Sequence, residues 1–558
     1  MKLKQLVFLC FLLVIGACNP EVKEAPVSIT EEAVGQQPVS DFWKNASVYF
    51  MLTDRFHNGD PTNDLPLNRK KDGAVLRSFE GGDLKGVTQK IKEGYFDKLG
   101  VNAIWMTPVV EQIHGSTDEG TGKTYGYHGY WAKDWTMIDP NYGNEADFAE
   151  FVATAHQHGI RVLMDVVMNH TGPVTDIDQQ WPDSWVRTEP VCAYSDYKST
   201  VECTLVENLP DIRTESNSLV ELPDFLKAKW AKEGRLEQEL QSLDAFFERT
   251  GYQRSPRFYL IKWFSDWVRK YGLDGFRIDT AKHTEAEIWV ALKTECSAAF
   301  NEWKKDNPAK KIDAEDFYMV GEVYGFGIGG TRAFDYGNKA VDFFDNGFES
   351  MINFSFKNDA NGTYEQLFSK YNAALNEGAL KGVSILNYVS SHDDGTPFDA
   401  QRNKTFEAGT KLLLCPGGVQ IYYGDETARP LIIPGTNGDA TLRSFMNWED
   451  LEQKESVQNL LAHWQKLGQF RKEHLAVGAG VHQQLQASPY IFKRSLQNDK
   501  VLVGLDLPKG NKVLPVFDVF PEGTTVRDYY SGTTAKVQSG AVNLDTVFDL
   551  VLLGEVKD

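Results

Sequence analysis

Residues 275–283 read Gly275-Phe-Arg277-Ile-Asp279-Thr-Ala-Lys282-His283. Apolar residues alternate with Arg277 and Asp279, so the two charged side chains lie on one face of a predicted strand. Strands of a parallel sheet are covered on both faces and are normally almost continuously apolar. Burying a cation and a carboxylate there costs free energy, so we expect them to serve a site at the carboxyl end of the strand.

Short apolar segments of this kind recur along the chain, and longer segments with helical periodicity separate them. The predicted helices include residues 147–158, 258–271, 285–300 and 405–414. Eight strands alternating with helices predict an α/β fold, the (β/α)8 or TIM barrel, in which the strand ends converge at one mouth. The predicted strands are residues 48–53, 103–107, 161–168, 275–280, 318–323, 340–344, 384–389 and 419–423.

Two further regions are predicted beside the barrel. Residues 171–222, after the third strand, are too many for a simple loop and predict an inserted subdomain, subdomain B. Residues 471–558 contain apolar runs broken by Gly, Pro and Asn, at 490–493, 500–505, 513–517 and 547–553, and predict a C-terminal all-β domain, a β-sandwich. The barrel then consists of residues 41–170 and 223–470.

The first 40 residues are typical of an export signal and a tether. Lys2 and Lys4 precede an apolar run too short to span a bilayer, and Ile15-Gly-Ala-Cys18 resembles the lipobox of bacterial lipoproteins. We expect residues 1–17 to be a lipoprotein signal peptide, Cys18 to be lipidated and residues 18–40 to be a flexible tether. A plain signal peptide with an incidental cysteine is the alternative. Both place the protein outside the cytoplasm, and the first anchors it by lipid to a bacterial membrane, in the periplasm or at the cell surface.

Composition excludes several classes of protein and partner. With 558 residues, of which 42% are hydrophobic, the chain is neither disordered nor a polytopic membrane protein. Its net charge of −20 repels phosphates, so no nucleic-acid partner is expected. We expect a monomer. Cys192 and Cys203 flank a polar stretch and form a possible disulfide in an oxidising compartment.

Polar residues also end other predicted strands. Asn169 and His170 follow the third strand, Glu322 ends the fifth, and His392 with Asp393 follows the seventh. Each is compatible with a structural role on its own, for example as a helix cap or an ion pair. Together at one barrel mouth, three carboxylates with an arginine and histidines predict glycosidase chemistry, in which an acid and a nucleophile flank an acetal.

From about residue 46 to its end, the chain resembles the α-amylase family of retaining glycoside hydrolases, glycoside hydrolase family 13. The strand-end segments above match its four main motifs, and residues 100–108, 422–426 and 209–212 match its second-strand, eighth-strand and inserted-domain motifs. Residues 209–216 are most similar to periplasmic bacterial α-amylases. Residues 127–131 and 140–143 also resemble the cyclodextrin glucanotransferases.

The resemblance implies roles for individual residues. Asp279 would be the nucleophile, Glu322 the general acid and base, and Asp393 the residue that favours the distorted sugar ring. Arg277 is expected to hold Asp279 ionised, while like charge raises the pKa of Glu322. Lys282 and His283 are expected on the leaving-group side. The implied substrate-binding residues are Arg277, His128, Tyr130, His170, His392, Lys282, His283, Asp439 and Arg443.

Oxygen-rich segments predict calcium as a cofactor at two sites. The first would join Asn169, Asp211 and the main-chain oxygen of His283, and would clamp subdomain B against the barrel. The second resembles a calcium loop of the glucanotransferases, although its Asn-Gly-Asp-Pro sequence is also typical of a turn. Its predicted ligands are Asn58, Asp60, Asn63, Asp64, Gly81 and Asp83.

These observations predict a secreted α-amylase that hydrolyses internal α-1,4-glucosidic bonds of starch, glycogen or maltodextrins by a retaining double displacement. One alternative is an α-glucan transglycosylase like the cyclodextrin glucanotransferases, or a hydrolase of the cyclomaltodextrinase or neopullulanase type. Another is a non-catalytic sugar-binding protein, which the presence of all three carboxylates disfavours.

Overall fold

Eight parallel strands close into a barrel. Each strand pairs with the next one in chain order, and the eighth pairs with the first. The computed structural model describes residues 39–556. The predicted α/β fold, the (β/α)8 barrel, is confirmed. Its strands are β1 Ser47–Met51, β2 Ala103–Met106, β3 Arg161–Val166, β4 Gly275–Ile278, β5 Tyr318–Gly321, β6 Ser350–Asn353, β7 Ser384–Asn387 and β8 Gly418–Tyr422.

Helices and short turns connect these strands. Between β1 and β4 the helices are Thr53–Phe56, Leu84–Lys92, Tyr95–Leu99, Glu145–Gln157, Lys198–Val201, Asp224–Lys232, Leu236–Thr250 and Pro256–Tyr271. After β4 they are Ala286–Asp306, Phe356–Asp359, Tyr364–Asn372, Thr405–Leu413, Trp448–Gln453, Glu455–Glu473 and Ala476–Ala479, and helix Asp41–Asn45 precedes β1. Helical turns of the 3-10 type span Pro61–Asn63, Pro66–Asn68, Ala281–His283, Phe344–Asn346 and Gly438–Arg443, and a π turn spans Ala373–Glu377.

Local sequence explains where these helices start and stop. Asn144 caps helix Glu145–Gln157, because its side chain accepts hydrogen bonds from the main-chain N–H groups of Ala146 and Asp147, and the Asp147 side chain accepts one from Asn144. Gly272 ends helix Pro256–Tyr271 with φ at 74°. A Cβ atom there would lie 2.2 Å from the Trp303 ring, so both the backbone angle and the packing require glycine.

The prediction of the sixth strand is wrong. Within the predicted stretch 340–344, Ala340–Val341 pairs antiparallel with Phe334–Asp335, and Phe344 begins a 3-10 turn. The sixth barrel strand is Ser350–Asn353 instead. Polar residues at both of its ends give this strand little apolar pattern in the sequence. Asn353 is nevertheless buried, since it donates a 2.8 Å hydrogen bond to the Asn387 side chain on the neighbouring strand β7.

Residues 171–222, the predicted subdomain B, follow β3. They contain the antiparallel pair Val186–Arg187 with Asp211–Ile212 and helix Lys198–Val201. The structure joins Cys192 to Cys203 in a disulfide. Three further antiparallel hairpins project from the barrel loops: Val110–Gln112 with Ala132–Ile138, Thr117–Asp118 with Lys123–Thr124, and Phe334–Asp335 with Ala340–Val341.

The C-terminal region is all-antiparallel. The strands are β9 Val481–Gln486, β10 Tyr490–Leu496, β11 Asp499–Leu505, β12 Gly510–Pro515, β13 Thr525–Asp528, β14 Thr534–Lys536, β15 Ala541–Thr546 and β16 Val551–Glu555. A six-stranded sheet has the order β9-β10-β11-β16-β13-β14, and β12 pairs with β15. Leu502 and Val551 on one face of the large sheet pack with Leu514 and Val542 of the small one, whereas Phe492 on the other face joins the main core.

The start of the described chain packs on the barrel. Val39 is buried and its N–H donates to the carbonyl of Gly382, so this residue of the predicted flexible tether, 18–40, is packed on the barrel. The signal peptide, Cys18 and tether residues 18–38 lie outside the described residues. Within residues 39–556, the helices are too short or too polar to cross a membrane.

Candidate active site

The Arg277 side chain holds three carboxyl groups together. Its Nη1 lies 2.7 Å from Oδ1 of Asp279 and 2.9 Å from Oδ1 of Asp165. Its Nη2 lies 2.9 Å from Oε1 of Glu322. Asp165 is on β3, Arg277 is on β4, and Asp279 and Glu322 directly follow β4 and β5. Neighbouring parallel strands thus bring residues that are far apart in sequence to one buried cation.

One positive charge does not balance three carboxylates. Burial raises the pKa of Asp279 well above its ordinary value, and the Arg277 guanidinium offsets this only in part. Burial likewise raises the pKa of Asp165 to about 6 against the opposing effect of Arg277. This differs from the expectation that Arg277 alone holds Asp279 ionised. Since full ionisation would leave two uncompensated negative charges in a buried site, the site readily holds a proton.

Exposure separates the three carboxyl groups by role. The Asp165 side chain is completely enclosed, whereas the side chains of Asp279 and Glu322 are 9% and 10% exposed. Both of the latter line a cavity of about 260 Å³ at the barrel mouth. Asp165 therefore supports Arg277 from below, and only Asp279 and Glu322 can touch a ligand. The cavity is lined by Tyr130, Asp279, Thr280, Lys282, His283, Glu322, Tyr324, His392, Asp393 and Arg443.

Backbone groups fix the position of Glu322. The N–H of Thr280 donates a 2.9 Å hydrogen bond to Oε2 of Glu322, and the N–H of Ala281 donates to its main-chain carbonyl. Thr280 has a φ of 47°, a left-handed conformation that is uncommon for a threonine. This turn directly after Asp279 aims an N–H group at the second carboxyl, as is typical of strained residues at functional sites.

The third predicted catalytic carboxyl, Asp393, lies in the cavity wall with 41% of its side chain exposed. Its neighbour Asp394 is held from below by the Lys357 ammonium and by the Tyr388 hydroxyl, which donates over 2.6 Å. These contacts anchor the loop that follows β7, so Asp393 is presented to the cavity on a fixed backbone.

Aromatic rings form another part of the wall. The Tyr130 ring stacks on His392 at 5.3 Å and on His128 at 5.7 Å, and its hydroxyl donates to Asp165 over 2.9 Å. Burial lowers the pKa of His128 and of His392 well below 6.5. The Tyr130 N–H donates to Nδ1 of His128, which leaves Nε2 of His128 as the protonated nitrogen. His170 contacts the Tyr130 carbonyl through Nε2, and burial lowers its pKa to about 4.

Arg443 and Asp439 lie at the His392 end of the site. Nη2 of Arg443 is 2.5 Å from Oδ2 of Asp439, and Nε of Arg443 donates to the His392 carbonyl over 2.9 Å. Arg77 completes the pair from the other side, with Nη2 2.9 Å from Oδ1 of Asp439. Two guanidinium groups therefore hold the Asp439 carboxylate in place and compensate the cost of burying its charge in part.

Lys282 and His283 lie at the opposite end, beside Glu322. The Lys282 ammonium donates to the Tyr324 carbonyl over 3.1 Å, and burial lowers its pKa. The His283 ring contacts the carbonyl of Thr200 through Nδ1 at 2.9 Å. All three predicted catalytic residues and five of the nine predicted substrate-binding residues thus line one cavity. Arg277 and Asp439 contact residues of its wall, and His128 and His170 support Tyr130.

Sequence reasoning missed Asp165, Arg77 and Tyr324. Of the three, only Asp165 is indicated by the sequence, since it interrupts the apolar run of β3. In the structure it pairs with Arg277 in the register of β3 against β4. Arg77 and Tyr324 come from irregular loops, where no periodicity indicates the direction of a side chain.

The first predicted calcium site fits a cation. Both side-chain polar atoms of Asn169 and both carboxylate oxygens of Asp211 are buried without a hydrogen-bond partner. Arg187 lies 2.8 Å from Oδ2 of Asp211, an ion pair in which the N–H is not aligned for a hydrogen bond. Buried oxygens of this kind are costly unless a ligand satisfies them. His283, the third predicted ligand, lies on the turn Ala281–His283.

The second predicted calcium site fits less completely. Oδ1 of Asn58 and Oδ1 of Asn63 are buried without a partner, as a cation site requires. Asp60, however, pairs with Lys85 at 2.6 Å, and Asp83 caps helix Leu84–Lys92 through the Gly86 N–H. The remaining predicted ligands, Asp64 and Gly81, adjoin Asn58. Within residues 39–556, no three His, Cys, Asp or Glu side chains converge in a metal-binding cluster, so a cation at either site would need amide or main-chain oxygens in addition to carboxylates.

Comparison with known proteins shows the family of the chain. The family described as alpha amylase, catalytic domain, matches residues 50–459. The chain is 39% identical over 530 residues to the periplasmic alpha-amylase of Escherichia coli K12, covering 83% of this chain and 72% of that protein. It is 25% identical to the cyclomaltodextrin glucanotransferase of Geobacillus stearothermophilus, covering 94% and 68%. The crystal structure of an Anoxybacillus alpha-amylase, 21% identical, shares the fold with a TM-score of 0.63 over 92% of this chain and 99% of that one. The chain belongs to the α-amylase family and is a glycoside hydrolase.

Proposed function

We propose that this protein is an α-amylase that hydrolyses internal α-1,4-glucosidic bonds of starch, glycogen or maltodextrins with retention of configuration. One observation carries the proposal: Asp279, Glu322 and Asp393 line one cavity, and the first two share the Arg277 guanidinium. The 39% identity to a periplasmic alpha-amylase supports it.

In the first step, an ionised Asp279 attacks the anomeric carbon and forms a glycosyl-enzyme ester, while Glu322 transfers its proton to the departing glycosidic oxygen. In the second step, Glu322 takes a proton from water, and the resulting hydroxyl displaces Asp279. The charge balance supports this cycle. With one proton on the three carboxyl groups, the cluster of Asp165, Asp279, Glu322 and Arg277 carries a single negative charge, which the oxocarbenium-like sugar of the transition state offsets.

The shared guanidinium favours retention over inversion. Retaining enzymes place their two carboxyl groups about 5 to 5.5 Å apart, whereas inverting enzymes leave room for a water molecule between them. Asp279 and Glu322 each contact a different nitrogen of the same guanidinium, which keeps the two carboxyl groups close together.

The polar and aromatic groups around these carboxyl groups can bind a sugar through hydrogen bonds and ring packing. We infer that Asp393, His392 and the Nε2–H of His128 hydrogen-bond the hydroxyls of the glucose unit being cleaved, with Tyr130 packed beneath its ring. Asp439 and Arg443 are assigned to the next unit on the His392 side, and Lys282 and His283 to the leaving-group side.

We infer that calcium binds at Asn169, Asp211 and the His283 main-chain oxygen, where it would tie subdomain B to the barrel. Calcium supplies a structural cross-link there and no reacting group. We assign a second, weaker calcium site to Asn58, Asn63, Asp64 and Gly81, with Asp60 and Asp83 available once Lys85 and the helix cap release them.

We further propose that the protein is a bacterial lipoprotein located outside the cytoplasm. The lipobox-like Ile15-Gly-Ala-Cys18 sequence and the name of the E. coli relative, a periplasmic enzyme, support this location. Metabolic labelling with a palmitate analogue tests it, because Cys18→Ser would abolish labelling if Cys18 is the lipidated residue.

Product profiling on amylose, pullulan and α-cyclodextrin tests the activity. We expect linear maltooligosaccharides from amylose and no activity in Asp279→Asn. The relatives named cyclomaltodextrin glucanotransferase favour a transglycosylase as the second candidate. Cyclic products from amylose would establish that candidate and contradict ours, and full activity of Asp279→Asn would contradict the mechanism.

A further inference from the structure

A buried carboxylate outside the cavity contacts the loop that carries Asp393. We call residues 390–394, which follow β7, the β7 loop. Asp425 lies in the turn after β8 and is 1% exposed. Its Oδ1 accepts a 2.6 Å hydrogen bond from the hydroxyl of Ser390, which is equally buried. Neither residue lines the cavity, so an effect of this pair on a ligand must pass through other residues.

An ion pair also holds Asp425 in place. Nη1 of Arg402 lies 2.9 Å from Oδ1 of Asp425. Arg402 itself has a φ of 57°, and its Nε donates a 2.8 Å hydrogen bond to the Arg429 carbonyl. Hydrogen bonds from a hydroxyl to a charged carboxylate are about 2.5 to 2.7 Å long and roughly twice as strong as those between neutral groups. The bond from Ser390 to Asp425 is therefore a strong contact to a fixed group.

Two further contacts fix the β7 loop, at its centre and at its end. The His392 carbonyl accepts a hydrogen bond from Arg443, and Asp394 is held by the ammonium and phenol groups described above. The Asp393 carboxylate lies 3.7 Å from Nδ1 of His392, which is too far for a hydrogen bond. The position of this carboxylate therefore depends on the backbone of the β7 loop.

We propose that Asp425 and Ser390 are positioning residues for Asp393, because their hydrogen bond fixes the backbone that presents this carboxylate to the cavity. Under the proposed function, on which this inference rests, Asp393 favours the distorted sugar ring and so contributes more to the transition state than to substrate binding. A displacement of about 1 Å in such a contact can lower the rate by about a hundredfold. The pair therefore supports kcat without touching the substrate.

Ser390→Ala tests this hydrogen bond with the smallest structural change, because it removes one hydroxyl outside the cavity. We expect kcat on para-nitrophenyl α-maltoheptaoside to fall by about tenfold and KM to change by less than about twofold, since the affected interaction is made mainly in the transition state. Asp425→Asn lowers kcat in the same direction. The double variant of Ser390→Ala with Asp425→Asn loses no more than Asp425→Asn alone, because both changes weaken one contact.

A second double variant tests whether the hydroxyl acts through Asp393. Asp393→Asn by itself lowers kcat strongly, and the nitrophenyl leaving group keeps the residual rate measurable. If Ser390 acts by positioning Asp393, adding Ser390→Ala to Asp393→Asn lowers kcat no further. A merely structural role of the hydroxyl would leave its loss of about tenfold intact in this background. Circular dichroism confirms that each variant is folded at the assay temperature.

Ser531→Ala is the matched control, since the Ser531 hydroxyl donates a similar 2.5 Å hydrogen bond to the buried Asp528 in the C-terminal domain. It retains the wild-type kcat. A wild-type kcat in Ser390→Ala, or a loss that persists in the Asp393→Asn background, would overturn the inference while leaving the amylase assignment intact. Additive losses from Ser390→Ala and Asp425→Asn would remove Asp425 from it. A fully active Asp393→Asn would overturn the role of Asp393 in the proposed function as well.

Discussion

Arg277 forms ion pairs with three carboxyl groups, of which only Asp279 and Glu322 reach the cavity. The enclosed Asp165 also accepts hydrogen bonds from the Tyr130 hydroxyl and the Trp105 indole N–H, at 2.9 and 3.0 Å. A single buried carboxylate therefore orients both the cation and the aromatic wall. Its charge also raises the pKa of Asp279, the proposed nucleophile, after the larger effects of burial and of Glu322.

Asp165→Asn tests this arrangement. Because the charge of Asp165 raises the pKa of Asp279, its removal lets Asp279 ionise at lower pH, and the acidic limb of kcat/KM shifts to lower pH. We expect kcat to fall by about 10- to 100-fold, since hydrogen bonds to a charged group contribute about 1.5 to 3 kcal/mol. The measurement is the pH profile of kcat/KM on maltoheptaose.

Asp274→Asn is the control for this variant. Asp274 precedes β4 at the opposite end of the barrel, where it accepts from the Val162 N–H and contacts His156. We expect a change in stability without a shift of the acidic limb. An acidic limb that stays in place in Asp165→Asn would show that the two carboxyl groups are not coupled.

At this scale the sequence predicted which carboxyl groups meet in one cavity but not their balance of charge. Asp279 and Glu322 were predictable because they interrupt or end apolar runs whose neighbours are fixed by the barrel order. The raised pKa of Asp279 was not, because it depends first on burial and then on the number of carboxylates that share Arg277. Only the register of β3 against β4 reveals the third of these carboxylates.

Among the elements, β6 shows where periodicity fails. A four-residue strand with Ser350 and Asn353 at its ends has little apolar signal, whereas the nearby Phe343 and Phe344 are both buried without belonging to the barrel. Burial of polar residues through a network such as Asn353 with Asn387 and Tyr371 is decided by tertiary contacts. The longer strands and helices were predictable because their hydrophobic periodicity extends over enough residues to distinguish a strand from a helix.

The two proposed calcium sites lie in loops and in subdomain B, and chelation tests them. If calcium binds at Asn169 and Asp211, removing it with excess chelator lowers the melting temperature, because a ligand at a hundredfold excess over its Kd stabilises by about 2.7 kcal/mol. Differential scanning calorimetry with and without chelator measures the change.

Two variants assign the calcium effect to a site. Asp211→Asn removes a ligand of the first site, so its melting temperature is lower and responds less to chelator. Asp64→Asn removes a ligand of the second site and retains most of the response. A wild-type melting temperature that excess chelator leaves unchanged would contradict tight structural calcium.

On the scale of the whole molecule, the six-stranded C-terminal sheet packs on the barrel core through one face and on the β12–β15 pair through the other. His463 on helix Glu455–Glu473 lies at this junction. Its Nδ1 contacts the Tyr530 hydroxyl at 2.8 Å, and its Nε2 contacts the Phe406 carbonyl at 3.0 Å. Burial lowers the pKa of His463 to about 4, so the folded protein keeps it neutral.

Because His463 is buried at this junction, we expect the stability of the protein to depend on pH. Between about pH 6.5 and pH 4 the unfolded chain binds a proton at His463 that the folded chain does not, so stability is present above pH 6.5 and is lost as the pH falls. His463→Gln removes this titration and reduces the slope of unfolding free energy against pH by up to about 1.4 kcal/mol per pH unit. Urea unfolding at several pH values measures it.

Gln458→Ala serves as the control, because Gln458 is an exposed, uncharged residue on the same helix. We expect it to retain the wild-type slope. An unchanged slope in His463→Gln would show that the domain junction does not exclude the proton.

The central claim is a double displacement in which Asp279 forms the covalent intermediate and Glu322 transfers the proton. A proton NMR time course of maltoheptaose hydrolysis tests it most directly, because the configuration of the first product is read before mutarotation equalises the anomers. Two successive inversions predict that the α-anomer accumulates first. Initial release of the β-anomer would contradict the account, because it would require water to attack the sugar directly.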